Sequence, residues 1–82
     1  MKKQNAVKAY YEINHNGTPM KIGTEYDVLI DDTDELDPAV ILRSREFGDV
    51  RGFDFGQAAV KLSKMVVQRH GNAKFLYSEK LS

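Results

Sequence analysis

The amino-acid sequence predicts a small α+β fold: a mostly antiparallel four-stranded sheet with one amphipathic helix across one face, in the order β-β-β-α-β. Three observations carry this. Two alternating apolar–polar stretches flank an Asn-Gly pair near the start of the chain. A single stretch has sustained helical periodicity. An aromatic-rich stretch closes the sequence. The 82 residues suffice for one domain spanning 1–82, with a core thin enough that a second copy or a bound partner would add usefully to its stability.

From Ala6 to Asn14, Val7, Ala9, Tyr11 and Ile13 point one way and Lys8, Tyr10 and Glu12 the other, the period-2 pattern of a half-buried strand. His15-Asn16-Gly17-Thr18-Pro19 supplies turn residues, and Met20 to Ile30 resumes the alternation, so these segments form a hairpin. Gly23 inside the second strand marks a bulge or the close approach of another backbone. The acidic run from Asp31 to Asp37 ends at Pro38. Ala39 to Arg45 then reads as a third strand, with Val40 and Leu42 on one face and Ile41, Arg43 and Arg45 on the other. Glu46 to Gly52 reads as a glycine-spaced loop.

The helix spans Phe53 to His70. Phe55, Ala59, Leu62 and Val66 line its inner face, and Gln57, Lys61, Lys64 and Gln68 the outer one. Asp54 with Gln57 makes a capping box, Phe53 and Ala58 have the spacing of a hydrophobic staple, and Gly71 stops the helix. Val60 and Val67 lie on the flank of the inner stripe, under a loop or against another chain. AKFLYSEKL supplies the fourth strand, with Phe75 and Tyr77 on one face and Leu76 on the other.

Composition narrows the chemistry. There is no cysteine, so disulfides and thiol catalysis are excluded, and the absence fits a reducing cytoplasm. No apolar run approaches the roughly 20 residues that span a bilayer, and the N-terminus lacks a secretory apolar core, so no membrane partner is expected. The two histidines, His15 and His70, have no zinc-site spacing, and no serine sits in a nucleophile elbow. Asp54-Phe55-Gly56 spells a kinase triplet without the accompanying segments that give it meaning. We therefore expect a non-enzymatic protein with no catalytic residue, metal or cofactor.

Charge is unevenly distributed. Residues 1–40 carry four lysines against eight acids, and residues 41–82 carry eight basic residues against four acids. Such asymmetry points to nucleic acid or to an oppositely charged partner. Arg51-Gly52-Phe53-Asp54-Phe55 matches part of the basic-Gly-aromatic-x-aromatic core of the RNA-recognition motif. Asp54, Gly56 and the missing helix between the first two strands depart from that motif, and the family is not assigned. Phe53 and Phe55 are equally placed to anchor the core.

Two binding readings follow. In the first, RNA or single-stranded nucleic acid meets Arg43, Arg45, Arg51, Lys61 and Lys64 through its phosphates and stacks on Tyr10 or Phe53. In the second, the chain is a protein-binding regulator or inhibitor, of the kind phages and mobile elements carry. Its interface would be the acidic residues Asp31, Asp32, Asp34, Glu35 and Asp37 together with the open sheet face. Burial of Val60, Val67 and the open sheet face in a homodimer is compatible with either.

Overall fold

The computed structural model describes all 82 residues. Five strands and one helix follow in the order β1 (Lys2–His15), β2 (Thr18–Asp31), β3 (Ala39–Ser44), β4 (Gly48–Gly52), α1 (Phe55–His70) and β5 (Ala73–Lys80). They form one antiparallel sheet with spatial order β4-β3-β2-β1-β5. The sheet thus has one strand more than the sequence pattern suggests. The segment Glu46 to Gly52, expected as a loop, contains β4. Its Asp49-Val50-Arg51 core alternates out-in-out, and Gly48 at φ +76° closes the turn back from β3. Two glycines in seven residues masked a strand too short to show a period. Ser44 supports the same turn, its Oγ accepting from the backbone N–H groups of Glu46 and Phe47 at 3.2 and 3.1 Å.

The β1–β2 hairpin turns through Asn16 and Gly17, both at positive φ (+51° and +82°), the conformation an Asn-Gly pair adopts at least cost. Its strands are longer than their neighbours. β3 pairs only with Tyr26–Asp31 of β2, so the tip end of the hairpin projects beyond β3, whereas β5 pairs with Val7–Ile13 of β1 and leaves the start of β1 outside the pairing. The molecule measures 48 × 24 × 18 Å. Gly23 is not a bulge. It sits in regular register opposite Tyr10, with the side chains of Lys8 and Tyr10 lying over it in the space a Cβ would occupy.

One face of the sheet and the inner side of α1 make the core: Val7, Ala9, Tyr11, Tyr26, Val28, Leu42 and Val50 against Ala58, Leu62 and Val66. The helical stripe is shifted from the one its sequence suggests. Ala58 is fully buried, Ala59 half-buried, and Phe55 remains 45% exposed. The cause is Gly52. An ideal Cβ there would stand 2.5 Å from the backbone nitrogen of Ala58, so the helix approaches β4 as closely as a missing side chain permits. Asp54 caps as expected, its Oδ1 accepting from Gln57 N–H at 2.8 Å, and Gln57 Oε1 accepts from the Phe53 N–H at 2.8 Å. No staple accompanies it, because Phe53 points outward and is 67% exposed. The reading of Phe53 and Phe55 as core anchors is therefore overturned. Ala58 takes that place, since only a methyl fits above Gly52.

Two further fastenings hold α1 along β4. Lys61 Nζ donates to the Arg51 carbonyl at 2.8 Å. Arg69 bonds Glu46 at 3.1 Å and lies over the Phe47 ring at 4.6 Å. A helix about 10 Å across cannot cover five strands spaced about 4.8 Å apart, and the edge strand β5 is left partly uncovered on this face, with Phe75 53% exposed.

Gly52→Ala is expected to lower stability by about 1–3 kcal/mol through overpacking against Ala58. Gly56→Ala, where a Cβ would meet only the Asp54 carboxylate at an ordinary 3.4 Å, should raise it by about 0.5–1 kcal/mol. Urea unfolding midpoints check both; equal effects of one sign would contradict the close-approach account.

Candidate functional site

The side chains singled out in the sequence do not converge on one surface. Arg43 and Arg51 project from the sheet face away from the helix, whereas Lys61 and Lys64 stand on the helix covering the opposite face. Arg45, in the β3–β4 turn, borders a shallow depression with Glu25, Asp27 and Arg43 on the uncovered face. Arg43 is engaged fork-to-fork with Asp49, Nε to Oδ1 at 3.0 Å and Nη2 to Oδ2 at 3.1 Å. That bond holds Asp49 below, and Arg43 above, their ordinary pKa values. Arg51 bonds Asp31 at 2.9 Å, and Lys3 bonds Asp27 at 3.4 Å. Between these pairs lie Leu29 and Ile41, both buried although no helix covers them. The long basic stems around them account for that burial. Arg43 and Arg51 thus complete the fold of this face, and their charge is largely matched.

The acidic loop is likewise partly committed. Asp31 Oδ1 accepts from Thr33 Oγ1 at 2.7 Å and from Thr33 N–H at 3.2 Å, and its other oxygen meets Arg51. The Thr33 hydroxyl, then Arg51, lower the Asp31 pKa to about 2. Asp34 Oδ1 accepts from the Leu36 N–H at 3.0 Å. Asp32, Glu35 and Asp37 are exposed, and nowhere do three potential metal-ligating side chains gather.

Tyr10 lies on the uncovered face and is joined there by Tyr77 of β5, which the sequence pattern had placed with Phe75. The register of β1 against β5 explains this. Tyr10 faces Tyr77 and Tyr11 faces Phe75, so Leu76 is an extra residue, a bulge that turns its two neighbours to opposite faces. The Tyr10 and Tyr77 rings are 4.7 Å apart. Lys21 Nζ lies over both at 5.1 and 5.6 Å and donates to Tyr77 Oη at 3.2 Å, while Lys8 Nζ lies 5.4 Å from the Tyr10 ring. Tyr10 Oη donates to Glu79 at 3.1 Å. The Tyr10 pKa is raised by partial desolvation and then by Glu79; that of Lys21 is raised mainly by its bond to Tyr77. Phe53 is remote from this cluster, in the bend between β4 and α1.

The largest concavity is on the helix side, at the β5 edge of the sheet. Ala59, Val60, Ser63, Lys64, Val67 and Phe75 line a groove of about 570 Å³ between α1 and β5. Val60 and Val67 are 54% and 39% exposed, and no loop lies over them. Lys64 is its one charged lining residue. Ser63 shares a hydrogen bond of 3.0 Å with Tyr11 at the groove floor, which satisfies both hydroxyls and leaves the wall apolar. Sequence reasoning found Val60 and Val67 but missed Phe75 and Tyr77, because a bulge leaves no trace in residue alternation.

No helix is long and apolar enough to cross a membrane. Comparison with protein-family models, curated proteins and solved structures finds no match to this chain.

Because Asp31 is depressed in the folded chain, the stability it contributes is present above the ordinary carboxylate range and is lost as pH falls toward about 2. Thr33→Ala should raise the Asp31 titration midpoint measured by NMR, lower stability near neutral pH and flatten the loss of stability between about pH 4 and pH 2. An unmoved midpoint would refute Thr33 as the main cause.

Proposed function

We propose that this chain is a non-enzymatic protein-binding module, whose partner presents an apolar segment flanked by acidic residues to the groove between α1 and β5. The observation that carries the reading is the groove itself: contiguous apolar side chains, uncovered, with Lys64 as the only charge. Soluble monomers seldom leave such a surface without a use. A wall of valines and a phenylalanine receives an amphipathic helix through side chains spaced at i, i+3, i+4 and i+7. Lys64 favours an acid at the rim, as electrostatic complementarity requires. The regulator or inhibitor class expected from the sequence is kept in this reading. Its contact surface moves from the acidic loop and the open sheet face to the helix side.

A second reading retains RNA or single-stranded nucleic acid and is favoured by one observation, the stacked Tyr10–Tyr77 pair beneath Lys8 and Lys21. Bases stack on such rings with little sequence preference. It ranks second because the acids Glu12, Glu25 and Glu79 are the cross-strand neighbours of Lys21, Lys8 and Lys8 again, so the surface offers phosphates little net charge.

Two synthetic amphipathic helices with the same apolar face, one flanked by Glu and one by Lys, separate the possibilities in an NMR titration. The Glu peptide should shift the amides of Val60, Ser63, Val67 and Phe75, and Val60→Asp/Val67→Asp should abolish this without unfolding the chain. If neither peptide moves these amides, while a labelled oligonucleotide moves Tyr10 and Tyr77 in a salt-dependent way, the nucleic-acid reading replaces it.

A further inference from the structure

We propose that two copies of this chain pair antiparallel along β5, about a twofold axis between Leu76 and Tyr77, to form one continuous ten-stranded sheet. This goes beyond the groove reading: the groove receives the partner, and the strand edge beside it joins the two copies.

The two edges of the sheet are unequal. β4 is five residues long, flanked by the Arg43–Asp49 and Arg51–Asp31 pairs, and Lys61 already occupies its Arg51 carbonyl. Charge and short length are the usual protections of an edge. β5 is eight residues long, has no strand on its outer side, and carries the partly exposed Phe75, Leu76 and Tyr77. Outward-facing backbone groups on such a strand form a template for another strand.

The occupant is identified by self-complementarity. Only one antiparallel register overlaps all eight residues of β5 with all eight of a second β5, and it centres between Leu76 and Tyr77. In that register Lys74 stands opposite Glu79 of the second copy, and the twofold axis repeats the pair. Phe75 stands opposite Ser78, and Ala73 opposite Lys80. Opposed side chains must also share a face, and the bulge ensures that they do. Residues 74 and 79 are five apart and would point to opposite faces of a regular strand. With Leu76 inserted, Lys74 faces Glu12 and Glu79 faces Lys8, so both lie on the face away from the helix. Bulges commonly protect an edge by twisting it. Here the bulge instead makes the edge complementary in charge to itself. A closed twofold contact of this kind consumes the free edge and leaves no site for a third copy. Both helices then lie on one face of the shared sheet, and their two grooves face each other across β5 and its mate.

Sedimentation equilibrium of the intact chain at low salt tests the proposal. The wild type should dimerise within the range up to about 1 mM. Lys74→Glu and Glu79→Lys should each weaken the dimer by about tenfold or more, since each places like charges opposite one another twice. The exchange Lys74→Glu/Glu79→Lys should restore most of the loss. Within the chain Lys74 faces Glu12, and Glu79 faces Lys8 and accepts from Tyr10, so circular dichroism and thermal unfolding of every variant separate a dimer effect from a folding effect. A monomer throughout, a dimer indifferent to both reversals, or an exchange variant no better than its parents would overturn the proposal. Val60→Asp/Val67→Asp should leave the dimer intact while losing the Glu-flanked peptide, so failure of the groove reading and failure of this one are distinguishable.

Discussion

The contact of Gly52 with Ala58 governs where everything else in this molecule can be. A side chain at 52 would hold the helix away from β4; its absence lets a fully buried methyl settle on the strand. Once the start of α1 is seated there, its length carries it back along β4. Lys61 reaches the Arg51 carbonyl, and Arg69 reaches Glu46 and the Phe47 ring. The helix is thereby committed to the β3–β4 side. Leu62 and Val66 close the core beneath it, each a removal that would cost about 2–5 kcal/mol for a leucine and somewhat less for a valine. The exposed Val60, Val67 and Phe75 follow from the same placement. One helix cannot cover five strands, and the edge strand β5 is the one left partly uncovered.

Much of this was legible in the residues. The hairpin followed from alternation on both sides of Asn16-Gly17, and the cap from Asp54 and Gln57, because both rest on interactions within a few residues. The helical stripe was displaced by one position, from Ala59 to Ala58, since its phase depends on a glycine in another element. β4 escaped notice because Gly48 and Gly52 look like flexible points when their roles are a positive-φ turn and a packing contact. Phe53 and Phe55 were misread for a related reason. Aromatic residues beside a helix start usually anchor a core, but here Ala58 takes the central position over Gly52, Phe53 points outward and Phe55 stays at the core's edge beside Tyr11, Tyr26 and Leu62.

The candidate surfaces were harder to see, and the reason is electrostatic. A linear count of charges gives an acidic half and a basic half. The folded sheet pairs them locally: Arg51 meets Asp31 across the two halves, while Lys3 meets Asp27 and Arg43 meets Asp49 within them. Exposed pairs of this sort contribute little stability, with typical values of about 0–1 kcal/mol. Their effect is to remove the field that would attract phosphates and to shelter Leu29 and Ile41. Contiguous uncovered apolar side chains lie in the groove and along β5. Leu76 illustrates the limit of residue patterns. One inserted residue sends Phe75 toward the groove, turns Tyr77 onto Tyr10, and brings Lys74 and Glu79 to the same face.

The central claim is that the two edges of the sheet differ, one closed by the chain's own charges and the other open to a partner. Amide hydrogen exchange measured along β4 and β5 in the same samples, across a series of protein concentrations, tests it most directly. Exchange along β4 should be independent of concentration, and the outward-facing amides of β5 should slow as concentration rises. Identical, concentration-independent behaviour of the two edges would contradict it.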